Sequence, residues 1–123
     1  MRNIIPAMAF SAAVVCGFMT VQSANAAALY FEKVGVQTSS EKTCLSFASD
    51  VARSQGFRNV HKNPLEVAGV KDGAYVSITC VGRGQQPAIA IVMSAADSFE
   101  VARQAGHSAS DQVKRIVCFD SPC

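Results

Sequence analysis

The sequence predicts an α+β domain of two layers, an antiparallel-rich sheet with two helices on one face, in the order β-α-β-β-β-α. Three observations lead there. Residues 38–56 and 98–119 repeat apolar side chains at helical spacing. Before and between them lie short runs rich in β-branched and aromatic residues, several with a period of two. Asp72-Gly73 and Gly82-Arg83-Gly84-Gln85-Gln86-Pro87 break those runs at hairpin spacing. Consecutive hairpins with only two helices pack most simply as one sheet under one helical layer.

Residues 29–36, Leu-Tyr-Phe-Glu-Lys-Val-Gly-Val, read as the first strand and are followed by the turn-like Gln37-Thr38-Ser39-Ser40. Thr38 with Glu41 fits a capping box, in which hydroxyl and carboxylate each satisfy a free backbone N–H of the first helical turn. Behind it Cys44, Phe47, Ala48 and Val51 form one apolar stripe, widened by Leu45 and Ala52, and Gly56 is the natural stop. Residues 57–64 read as a short strand or an extended connection interrupted by Pro64, and residues 65–71 alternate weakly. Asp72-Gly73 suits the positive φ angles of a two-residue type I′ turn. In the strand that follows, Val76, Ile78 and Cys80 point one way and Tyr75, Ser77, Thr79 and Val81 the other. Residues 88–93, Ala-Ile-Ala-Ile-Val-Met, are apolar throughout, which predicts a central strand covered on both faces. The last helix carries Ala102, Ala105, Ala109, Val113, Ile116 and Val117, with a cap expected from Asp97 and Glu100 and a weak or kinked point at Gly106.

The start of the chain has the form of a cleavable export signal. Arg2 is followed by an uncharged run over residues 4–21 and by Gln22-Ser23-Ala24-Asn25-Ala26, with Ala24 and Ala26 in the A-x-A positions. Residues 1–26 are therefore expected to be removed, leaving a single small domain over residues 27–123. The apolar run touches the lower limit of roughly 17 residues for a membrane-spanning helix, so a retained anchor is the competing reading. Dilution by Ala, Ser, Gly and Thr and the lack of a flanking Lys/Arg cluster favour cleavage. Val15 before Cys16 is too bulky for the small-residue pattern of lipoprotein signals, and Cys16 leaves with the signal.

Cleavage removes one basic and no acidic residue, so ten Lys and Arg face nine Asp and Glu. The basic residues are scattered, with Lys114-Arg115 the one adjacent pair, which excludes the basic stripe of a nucleic-acid binder. Four cysteines remain: Cys44, Cys80, Cys118 and Cys123. An even number in an oxidising compartment reads as two disulfides. Cys44 lies on the core stripe of its helix and Cys80 on the inward face of its strand, so these two should meet. Cys118 falls off the Val113, Ile116, Val117 stripe and is left to pair with Cys123 across four residues. On the chain-entropy model the first bridge contributes about 4 kcal/mol and the second about 2. Unpaired core thiols at Cys44 and Cys80 are the alternative, since cysteine packs as a small hydrophobe.

Other chemistry finds little support. Cys118-x4-Cys123 lacks the C-x2-C geometry of zinc knuckles, and His61 and His107 have no ligand spacing to each other or to a cysteine, so no metal is expected. Redox C-x-x-C and haem C-x-x-C-H motifs are absent, and no cofactor is expected. No serine stands in a G-x-S-x-G elbow. Gly82-Arg83-Gly84 leads into a strand, so it lacks the helix dipole of a phosphate loop. No catalytic residue is assigned. The strongest functional surface is the outward sheet face of Tyr75, Ser77, Thr79 and Val81, beside one apolar set of residues 88–93.

The stretch from Ala74 to Ala95, a Cys-bearing strand, a short turn, an Ala-Ile-Ala-Ile-Val-Met strand and the approach to a helix, resembles the middle of small uncharacterised exported, periplasmic proteins of Gram-negative bacteria. It covers roughly a fifth of the chain and carries no catalytic motif. The resemblance implies a location and a fold more than an activity. The expectation is a non-catalytic protein-binding, inhibitory or structural module of the envelope. Its partner would be another envelope protein or a second copy, with no nucleic acid and no membrane anchor after cleavage. A carrier holding a small ligand between helices and sheet near His107 and Gly106 is the alternative, and an enzyme of unknown type comes third.

Overall fold

The computed structural model describes residues 27–116. The export signal expected over residues 1–26 and the expected pairing of Cys118 with Cys123 lie outside the described residues. Along the described chain run β1 (Ala28–Gly35), α1 (Glu41–Ser54), β2 (Arg58–Lys62), β3 (Glu66–Lys71), β4 (Ala74–Arg83), β5 (Gln86–Ala96) and α2 (Phe99–Arg115). The predicted α+β order is observed, and residues 58–62, open between strand and connection, pair with β3 as a fifth strand. The sheet order is β1-β5-β4-β3-β2 with every pair antiparallel. β1 and β2 are therefore opposite edges, and α1 carries the chain across one face between them.

Local chemistry fixes the element ends. Ser40, not Thr38, caps α1, its hydroxyl accepting the Thr43 N–H at 3.1 Å. Thr38 is buried: its hydroxyl accepts the Ser40 N–H at 3.0 Å, and its carbonyl accepts the Ala88 N–H at 2.7 Å. The capping-box spacing misled because Thr38 still belongs to the strand-like approach and Glu41 reaches elsewhere, accepting the Gly82 N–H at 2.9 Å. At the other end Gly56 has φ 68°, the Phe57 N–H donates to the Ala52 carbonyl and the Gly56 N–H to that of Arg53, a Schellman closure. Ser98, one residue past the expected Asp97, caps α2 by accepting the Val101 N–H. The β3–β4 turn has positive φ at both Asp72 (48°) and Gly73 (79°), as type I′ requires.

The core lies between the helices and one face of the sheet. All six expected α1 residues are buried, as are Val76, Ile78 and Cys80 from β4 and Ala102, Ala105, Ala109 and Val113 from α2. Two expectations are corrected here. β5 is interior but covered on one side only: Ala88, Ala90 and Val92 are buried under the helices, while Ile89 and Ile91 are half-buried and Met93 is exposed. Its unbroken apolar run thus records a core face and an apolar open face. The second correction concerns Gly106, where α2 continues unbroken through its full span. A Cβ at Gly106 would stand 2.6 Å from both Ser94 Oγ and Tyr30 Cδ1, so the glycine serves close approach of helix to sheet and does not break the helix.

Candidate functional site

Pairing registers lay out the open face as four rows crossing the strands. One row reads Leu29, Ala95, Tyr75, Val70 and Arg58; the next Phe31, Met93, Ser77, Ala68 and His61. A third reads Lys33, Ile91, Thr79 and Glu66, and the last Gly35, Ile89 and Val81. The period of two in each strand places these side chains opposite the helical layer. All four residues expected on this face, Tyr75, Ser77, Thr79 and Val81, stand there together, Tyr75 and Val81 exposed and Ser77 and Thr79 half-buried. β1 supplies what the sequence reading did not assign: Leu29 and Phe31 are 64% and 55% exposed. Their signal was present as the alternation of Leu29, Phe31 and Lys33 against Tyr30, Glu32 and Val34, but the first strand could not be assigned a neighbour.

Among the described residues, five of the eight exposed large apolar side chains fall on this one face: Leu29, Phe31, Tyr75, Val81 and Met93. That is a cluster, whereas isolated exposed apolar residues are ordinary on any protein surface. A shallow concavity of about 310 Å³ opens at its upper rows, bounded by Leu29, Tyr75, Met93 and Glu66. On this face the Ser77 hydroxyl donates to Glu66 Oε2 at 2.9 Å. A larger open hollow of about 740 Å³ lies between the start of α1 and Lys62, Asn63 and Pro64. Its rim is formed mostly by exposed side chains, among them Lys42, Ser46, Lys62 and Asn63.

Titratable side chains gather on the other side of β1. The Tyr30 hydroxyl donates to Glu32 Oε2 at 2.6 Å, and His107 Nδ1 lies 3.1 Å from the same oxygen. His107 Nε2 is 3.8 Å from Asp111 Oδ2, which also lies 3.8 Å from Arg115. Burial raises the Glu32 carboxyl, but hydrogen bonding from Tyr30 and His107, with the His107 charge, more than offsets it, and the net shift is downward. The Tyr30 phenol is raised, first by its hydrogen bond to that carboxylate and then by burial. These contacts tie β1 to α2. The Ser110 hydroxyl is fully buried and so has no access to a substrate.

His107 therefore sits on an unbroken helix facing two carboxylates, and His61 is exposed on β2. The space beside Gly106 suggested for a ligand is filled by Tyr30 and Ser94, with the Ser94 hydroxyl donating to the Ala102 carbonyl. Cys44 and Cys80 form a disulfide, Cα–Cα 6.0 Å, joining α1 to β4. Among the described residues no group of three His, Cys, Asp or Glu is placed to hold a metal ion, and no helix is long and apolar enough to cross a membrane. Comparison with family models, curated proteins and solved structures returns no match.

Proposed function

We propose that the protein is an exported, disulfide-bonded docking module that engages another polypeptide through the open face of its sheet. The observation that carries this reading is the concentration of Leu29, Phe31, Tyr75, Val81 and Met93 on a face that no other element among the described residues covers. Aromatic residues and Met are enriched in interface cores, and Ser77 and Thr79 between them add hydrogen-bonding capacity. Export is supported by the signal-like first 26 residues and by the Cys44–Cys80 cross-link, which persists in oxidising compartments. The resemblance to exported proteins of Gram-negative bacteria favours the periplasm.

A photo-crosslinking residue at Ser77, compared with one at the exposed Gln112 of α2, tests the reading in the native compartment. Adducts are expected from Ser77 and not from Gln112, and Phe31→Ser with Met93→Ser should abolish them without changing thermal stability. Equal yields at both positions, or none at Ser77, would refute a docking role for this face.

A further inference from the structure

Resting on that reading of the open face, we infer that its occupant is a second copy of this chain, packed sheet to sheet about a two-fold axis that runs parallel to the strands between β5 and β4. A two-fold interface brings one patch against itself, so the patch must be self-complementary. Rotation about this axis keeps each residue in its own row and exchanges β5 with β4 and β1 with β3.

The registers then decide the fit. In the third row Lys33 on β1 falls opposite Glu66 on β3 of the second copy, and the symmetry makes that pair twice. In the first two rows large residues fall against smaller ones, Tyr75 against Ala95, Leu29 against Val70 and Met93 against Ser77, while Phe31 falls over the position of Ala68, which is already fully buried within its own chain. Ile91 meets Thr79, and Ile89 meets Val81, near the axis. Lys33 is exposed in the single chain, and Glu66 is half-buried with Ser77 as its hydrogen-bond donor, so the acceptor is already oriented on the face. Aligned sheets cross at about 30°, an offset that the long lysine stem absorbs at a pair about 7 Å, one and a half strand spacings, from the axis.

The area is sufficient for a specific but weak dimer. The four strands that overlap, at about 4.8 Å spacing, and four rows about 6.8 Å apart give a footprint of roughly 500 Å² per copy, or about 1,000 Å² in total. That stands at the lower edge of specific interfaces, which places association in the micromolar range or weaker.

Sedimentation equilibrium of the full chain purified from its own compartment, from micromolar to millimolar concentration, reads the result. A monomer–dimer equilibrium is expected. K33E or E66K alone should weaken it by about tenfold or more, because each sets like charges together at two places, and K33E/E66K should recover to within about threefold of the original. Circular dichroism confirms that each variant is folded, and Lys33→Gln and Glu66→Gln provide milder versions of the same series. A wild-type chain that stays monomeric, or a double variant no better than the singles, overturns the proposed dimer. If the chain is monomeric yet Ser77 still crosslinks to a chain of different mass, the second copy is wrong and the docking face stands; if Ser77 yields no adduct, both fail.

Discussion

The backbone of Gly106 in α2 lies against the ring of Tyr30 in β1, so close that an added Cβ would stand 2.6 Å from Cδ1. Helix propensity alone would favour alanine there by about 1 kcal/mol. The ring is constrained, because Tyr30 is half-buried, held by Glu32 and edge-on to Phe99 with centroids 6.3 Å apart. Gly106→Ala is therefore expected to destabilise by up to about 2 kcal/mol net of the propensity gain, since overpacking costs about 1–3 kcal/mol. Urea denaturation measures it, and a stabilised variant would contradict the close-approach account.

Removing the Cys44–Cys80 link should cost more. The bridge spans a sequence separation of 36 residues between α1 and β4. Cys44→Ala with Cys80→Ala is expected to lower stability by about 4 kcal/mol on the chain-entropy account. Thermal melts of this variant beside the native protein provide the comparison.

The two faces of β4 and β5 should respond oppositely to substitution. Ile78 is fully buried, and Ile78→Ala is expected to cost about 2–5 kcal/mol through lost contacts and a cavity. Met93, on the open face and 45% exposed, should tolerate Met93→Ser within about 1 kcal/mol in the monomer while losing self-association. Denaturant midpoints measured at low protein concentration separate the two effects.

Glu32 gives the fold an acid limit. Its folded-state pKa is lowered, the hydrogen bonds and the His107 charge outweighing burial, so the unfolded chain holds the proton more readily. The stabilisation is present above the ordinary carboxylate range and is lost as pH falls through the folded value. Glu32→Gln should lower stability near neutrality and flatten its decline in acid. An unchanged acid limb would show that the cluster does not couple β1 to α2.

Capping distinguishes two neighbouring hydroxyls. Ser40→Ala removes the acceptor for the Thr43 N–H and should cost about 1 kcal/mol. Thr38→Ala should cost at least as much for a different reason, because Thr38 is buried and its hydroxyl holds the Ser40 N–H. Thr38→Ser separates the two contributions: it keeps the hydroxyl and loses only the packed methyl.

Much of this fold could be read in the chain because short-range chemistry repeats there. The stripe of Cys44, Phe47, Ala48 and Val51, the positive φ sites at Asp72-Gly73, and the inward set Val76, Ile78 and Cys80 each follow from periodicity or turn stereochemistry. The same directions predicted the Cys44–Cys80 bridge and the shared face of Tyr75, Ser77, Thr79 and Val81. Errors of one or two residues at the caps arose where several serines, threonines and acids compete and only the backbone path selects one.

Strand order was beyond local pattern. The placement of β1 beside β5 brings Leu29 and Phe31 onto the open face and sets Lys33 in the row of Glu66. No periodicity within residues 29–36 specifies that neighbour, because pairing partners are chosen by the global packing of sheet and helices. The roles of Gly106 and of residues 88–93 were hidden for the same reason. A glycine in a helix reads alike whether it weakens the helix or admits a ring, and an apolar run reads alike whether its second face is buried or bare. Alternation along a chain fixes which side chains share a face; only the assembled sheet and helices decide what, if anything, lies over it.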